Sequence, residues 1–177
     1  GSIQTILSNT GDKLRANGLE TQEEQIGYIN ERLDELNEYA DKTIYNFSQM
    51  TRNIGLFTAA GIDLDTATSA IQGISNLAAA SGADNAAAGR AMYNLSQAIS
   101  TGTVRLMDWN SVVNAGMGGE LFQNALKRTA RVHGVAVDEI IAKQGSFRDS
   151  LSEGWLTADI LTETLEQMTI EYDEVGD

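Results

Sequence analysis

The side chains with chemical potential in this 177-residue chain are few in kind. There is one histidine, His133, and no cysteine, so thiolate nucleophiles, disulfides, Cys-ligated zinc and Fe–S clusters are excluded by inventory. One imidazole supplies neither the two-histidine face of a zinc protease nor a second ligand for a histidine metal site. His133 stands before Gly134 at the expected end of a helix, where an imidazolium would meet the negative pole of the helix dipole and need no catalytic duty. Asp63-Leu64-Asp65 offers two carboxylates, but a calcium loop needs more oxygen ligands and a glutamate twelve positions from the first. Helix capping explains both residues, with Asp65 expected to start the helix that follows. Gly116-Met117-Gly118-Gly119-Glu120 lacks the Lys and Ser/Thr of a phosphate loop and follows no strand, so it reads as a flexible connector. Paired carboxylates for glycoside hydrolysis are available in number, yet nothing nominates one pair over another. Trp109 and Trp155 sit beside apolar neighbours at helix starts and read as core plugs rather than ligand platforms. The residues therefore nominate no catalytic, cofactor-binding or metal-binding site.

Charge narrows the partners. Lys and Arg total 12 against 25 Asp and Glu, a net charge of −13. Residues 43–150 hold eight of each sign, residues 1–42 are net −5, and residues 151–177 are net −8 with no cation. Stable phosphate binding needs a basic face, so DNA and RNA are disfavoured as ligands, and the acidic ends disfavour anionic lipid. Solvated helix faces account for the acidic runs; docking on a basic partner is the sharper alternative. No apolar run reaches the ~18 residues of a membrane-spanning helix.

The elements that must position these groups are helical nearly throughout. No proline interrupts the chain, and apolar residues recur at steps of three and four. Thr21-Gln22-Glu23-Glu24 has the form of a capping box, and Ile26, Ile29, Leu33, Leu36 and Ala40 follow as a narrow stripe. Two heptads are short for a coiled coil, so this stripe is expected to pack on the rest of the domain. Phe47, Met50, Ile54 and Phe57 share the next face. A helix with Ala67, Ala70, Ile71, Ile74, Leu77 and Ala78 inward is expected to end at Gly82, and Asp84 starts another with Ala88, Ala91, Met92, Leu95, Ala98 and Ile99 inward. These two read as an αα-hairpin joined by Gly82-Ala83, its stability leaning on Ile, Leu, Met and Tyr93. Val104 and Leu106 suggest a short extended piece, after which Asp108 is expected to cap a short helix to Asn114. Residues 120–133 form a helix with Leu121, Phe122, Ala125, Leu126 and Val132 apolar. Lys127, Arg128 and Arg131 lie toward its C-terminal end and complement the dipole; without interleaved aromatics they make a poor nucleic-acid patch. A short helix spans 138–143, and Thr157 caps a last one carrying Ile160, Leu161, Leu165 and Met168.

The expected fold is all-α: a compact multi-helix bundle of antiparallel helical hairpins with Gly-rich connectors. Residues 1–2 read as a scar of cleavage on an excised fragment, 3–42 as an acidic helical lead-in, 43–170 as the domain proper and 171–177 as a frayed acidic tail.

Longer strings carry more information than these patterns. Tyr45-Asn46-Phe47-Ser48-Gln49-Met50-Thr51-Arg52-Asn53-Ile54-Gly55 runs on to Phe57-Thr58-Ala59-Ala60-Gly61-Ile62-Asp63-Leu64-Asp65. Ala70-Ile71-Gln72-Gly73-Ile74-Ser75-Asn76-Leu77 leads to Arg90-Ala91-Met92-Tyr93-Asn94-Leu95-Ser96-Gln97-Ala98. Gly102-Thr103-Val104-Arg105-Leu106-Met107-Asp108-Trp109-Asn110-Ser111, Asn114-Ala115-Gly116-Met117 and Trp155-Leu156-Thr157 follow in order, then Leu161-Thr162-Glu163-Thr164-Leu165. Over about residues 40–170 this series resembles the N-terminal domain of tail tape measure proteins from long-tailed bacteriophages and prophages.

The resemblance implies a structural role in tail assembly and tail-length determination, inside the tail tube of the virion and, during assembly, in the host cytoplasm. It implies tail tube protein, tail assembly chaperones, other tape measure copies and tail-end proteins as partners. Within the matched strings, Asp108, Trp109, Asn114, Gly116, Met117 and Trp155 are the expected interaction residues. The competing reading is an α-helical ligand-binding or carboxylate-based hydrolase domain, with acids near Trp109 or Trp155.

Overall fold

A computed structural model of the chain describes residues 2–175, with side chains described from Ile3 to Met168. It is built from α1 (Ser2–Ala16), α2 (Gln22–Ala40), α3 (Phe47–Ala59), α4 (Leu64–Ser81), α5 (Asn85–Thr101), α6 (Leu106–Asn114), α7 (Glu120–Val132), α8 (Val137–Gln144), α9 (Phe147–Ser150) and α10 (Ala158–Val175), with a single 3-10 turn, Leu151–Glu153, after α9. The expected acidic tail thus begins inside α10, with its last two residues outside the described residues; of residues 1–2, Gly1 also lies outside them and Ser2 is the first residue of α1.

The helices begin where side chains satisfy free backbone N–H groups. Thr21 and Glu24 form the expected capping box at 3.1 Å in both directions, and Asn46 with Gln49 makes a second one for α3. At α4 the cap is Asp63, whose carboxylate accepts the Thr66 N–H at 2.8 Å, and not Asp65 as the spacing suggested. Leu64 decides between them: it is buried, and a helix starting two residues later would lose that residue from its inner face. Gly82 and Gly102 then close α4 and α5 at φ 61° and 109°, a left-handed backbone that a side chain disfavours.

α4 is the centre of the bundle. It is buried from Leu64 to Ala78 on most of its circumference, as expected of a helix that is apolar or small all round. Its main partner is α10, with α3 and α2 on other sides. The hairpin of α4 with α5 is therefore not the principal packing: α5 follows α4 through Gly82-Ala83 but lies chiefly against α3 and α6. Gly73 explains the preference, because a Cβ there would stand 2.2 Å from the Leu165 carbonyl oxygen of α10. The bare glycine lets the two backbones approach. Ser75 and Ser96, both fully buried, donate their hydroxyls to the carbonyls of Ile71 and Met92 four residues back, so neither leaves an unpaired polar group in the core.

The lead-in belongs to the same core. Ile6, Leu7 and Leu14 of α1 and Ile29, Leu33 and Leu36 of α2 are buried with Ile54 and Phe57 of α3. The stripe on α2 packs inward, as its short length predicted. Gly27, on the outer side of the same helix, has no atom near the position a Cβ would take. Gly27→Ala is therefore expected to stabilise the fold by about 0.5–1 kcal/mol, read as a higher midpoint in urea. Tyr93 does not support the centre; it is exposed, and Tyr45 fills the interior instead.

Candidate functional site

The six residues singled out by their strings converge around α6. Val104 donates its N–H to the Leu156 carbonyl at 2.9 Å and Ala158 to Gly102 at 2.8 Å, an isolated antiparallel bridge about Thr103 and Thr157. This is the extended piece that Val104 announced, but it ends sooner than expected, since Leu106 is already helical. Asp108 consequently sits one turn inside α6 rather than at its cap. Its buried carboxylate reaches back and accepts the Arg105 N–H at 3.0 Å.

Trp109, one residue on, is 2% exposed. Its ring lies 4.8 Å from Phe147 and 5.7 Å from Phe122, and Phe147 meets Trp155 edge-on at 5.7 Å. Trp155 donates its indole N–H to the Ser150 hydroxyl at 3.0 Å. Four aromatic rings thus clamp α6, α7, α9 and the approach to α10, each pair adding roughly 0.5–1.5 kcal/mol beyond burial.

The segment after α6 is a packed corner and not a flexible connector. Met117 is fully buried, its N–H bonds the Val112 carbonyl at 2.9 Å, and its sulfur lies 3.9 Å from the Tyr45 hydroxyl. That hydroxyl donates to the Ala88 carbonyl at 2.9 Å, while Asp84 donates its N–H to Ala115. Burial pushes the Tyr45 phenol well above its ordinary range, so it stays a donor. Gly118 packs against Val113 and Trp109, where a Cβ would approach within 2.8 Å of the Val113 side chain.

Of the six residues, Asp108, Trp109, Met117 and Trp155 are buried and shape the corner from within, whereas Asn114 and Gly116 face solvent. Sequence reasoning missed the exposed apolar residues around them, since Met107 is 69% exposed, Val113 49% and Leu121 51%, and it missed Val132 at the far end of α7, which is 79% exposed. Leu121 and Val132 were expected in the apolar face of α7. The signal against them was there, because Phe122, Ala125, Leu126, Thr129 and Ala130 already complete a buried stripe.

The other groups with chemical potential are held by neighbours. His133, at the end of α7, bonds Glu163 of α10. Asp65 accepts the Tyr28 hydroxyl, and burial followed by this hydrogen bond pushes the phenol up to about 12. Thr129 of α7 and Thr164 of α10 join through buried hydroxyls at 2.8 Å. Among the described residues no three His, Asp or Glu side chains are close enough to share a metal ion, and no helix is long and apolar enough to cross a membrane.

Glu166 gives a pH dependence. Partial burial is the first cause that raises its carboxyl, and the charges of Asp63 and Glu163 add to it. A raised acid in the folded state contributes stability at low pH that is lost as pH rises through the folded value. Glu166→Gln is therefore expected to melt higher than the wild type at neutral pH, with the gap closing below about pH 4. Thermal melts across that range read the result.

A family model described as tape measure protein matches residues 7–175 of the chain. The chain belongs to the tape measure protein family. No curated protein and no solved structure matches it. The match takes in α1 from residue 7 and all of α2, so the family region reaches further toward the N-terminus than the strings that carried the resemblance. The corner around α6 is accordingly part of a phage tail tape measure domain, in a family whose members are structural proteins.

Proposed function

We propose that this tape measure domain is a folded docking module for tail assembly and has no catalytic duty. It is not itself the length-measuring segment. A ruler works by contour: at ~1.5 Å per residue, 177 residues in one helix would span roughly 265 Å. The observation that carries the reading is a core running from Ile6 of α1 to Met168 of α10, which withdraws that contour from use as length. A compact chain of this size has a radius of gyration of only about 16 Å.

The partners that fit are the tail tube protein, tail assembly chaperones, other tape measure copies and tail-end proteins, met in the host cytoplasm during assembly and then within the virion. The surface we nominate lies over the packed corner, with Asn114, Gly116, Met107 and Val113 outward and Asp108, Trp109, Met117 and Trp155 beneath them. Deleting residues 40–170 in frame from the full-length parent, followed by electron microscopy, tests the proposal. Absent tails are expected. Tails shortened by roughly 200 Å, the contour of the deleted residues as helix, would make the segment a ruler, and unchanged tails would remove any assembly role.

A further inference from the structure

α7 presents to solvent a stripe that the bundle does not use. Leu121, Asn124 and Arg128 follow one another at steps of three and four on its outer side, with Val132 one turn further. Lys127 and Arg131 flank the stripe, so three cations fall within five residues. Arg131 is paired with Asp138 at 2.9 Å, whereas Lys127 and Arg128 have no ion-pair partner among the described residues. Arg128, with Lys127 beside it acting on Asp138 only through its charge, and two exposed aliphatic side chains make a local basic and apolar face on a chain of net charge −13.

The complementary face is on the same chain. α2 carries six carboxylates against one arginine, and its inner side is taken by Gln25, Ile29, Leu33 and Leu36. Glu31, Asp34 and Glu38 repeat at steps of three and four on the opposite side, all exposed. Arg32 engages Glu31 and Glu35, which leaves Asp34 and Glu38 without an ion-pair partner among the described residues. Just beyond α2, Ile44 is exposed. Within one chain α7 and α2 are not packed on each other.

We propose that the Leu121–Arg128–Val132 stripe of α7 docks on the Glu31–Asp34–Glu38 face of α2 in a second copy of the chain. The contact is heterologous: each copy offers one surface of each kind, so copies join head to tail and close into a ring or run on as a chain. Charge complementarity selects the register, and the aliphatic residues add buried area. The proposal rests on that part of the proposed function which names other tape measure copies as partners, and gives this one contact its own surface, apart from the corner over α6. The deletion of residues 40–170 tests the assembly role, and the charge swaps below test only this contact.

A charge swap tests it by sedimentation velocity across a concentration series. The wild type is expected to form species larger than a monomer, and K127E/R128E or D34K/E38K is expected to raise the dissociation constant about tenfold or more. All four positions are exposed or half-exposed, so the circular dichroism of both variants should match the wild type. Mixing the two variants should restore association, since the acidic α7 of one then meets the basic α2 of the other. A wild type that stays monomeric throughout, variants that associate as the wild type does, or a mixture that stays dissociated would each overturn the proposal. Binding of a DNA duplex lost in K127E/R128E would also overturn it, by making the stripe a phosphate site.

Discussion

Gly73→Ala is expected to destabilise the domain by about 2–4 kcal/mol, despite alanine being the better helix former by about 1 kcal/mol. The added methyl would stand 2.2 Å from the Leu165 carbonyl oxygen, 2.8 Å from its carbonyl carbon and 2.9 Å from its Cβ. Two of these are backbone atoms of α10, so no side-chain rotation relieves the overlap; the helix itself must move. That movement would disturb the Thr129–Thr164 hydrogen bond and the burial of Ile160, Leu161 and Leu165. In a domain of this size, the loss corresponds to a fall of roughly 5–15 °C in Tm. Gly27→Ala provides the contrast, since the same chemical change on an open helix face should raise stability. If both substitutions moved the melting temperature in the same direction, the close packing of α4 on α10 would be wrong.

Trp109→Ala is expected to cost about 3–5 kcal/mol, the range for emptying a buried aromatic site. The loss combines the removed area with two ring contacts, to Phe147 at 4.8 Å and Phe122 at 5.7 Å, and Phe147 in turn supports Trp155. Because α6, α7 and α9 all lean on this ring, the damage should spread along the corner that presents Asn114 and Val113. Trp109→Phe should cost less, since a smaller ring keeps part of the stack. Urea unfolding gives the energies, and the near-ultraviolet circular dichroism of Trp155 reports whether its surroundings loosen. An alanine variant as stable as the wild type would show that the cluster does not hold the corner.

Much of this architecture is legible in the order of residues, and the limit falls at a consistent place. The inner faces of α4 and α5 are readable because their spacing is local and uninterrupted; Ala67, Ile71, Ile74, Met92 and Leu95 are buried where the period puts them. Thr21 with Glu24 is readable because a capping box closes within four residues. The choice of Asp63 over Asp65 is not, since both carboxylates suit a cap and only the burial of Leu64 separates them. Gly73 looks like Gly27 or Gly55 in sequence; what distinguishes it is Leu165, 92 positions away. Likewise, nothing between Asn114 and Glu120 announces a packed corner, because its anchor is the hydroxyl of Tyr45. At the candidate site, Trp109 and Trp155 are identifiable as core residues from their neighbours. The exposed Met107, Val113 and Leu121 emerge only once the competing inner stripes have been satisfied.

Small-angle X-ray scattering of the isolated chain, in dilute solution and extrapolated to zero concentration, tests most directly whether these residues hold length or shape. A folded docking module predicts a radius of gyration of about 16 Å. A value near 45 Å, as for an unfolded chain of this size, or the profile of a rod roughly 265 Å long, would contradict it and return the segment to the role of a ruler.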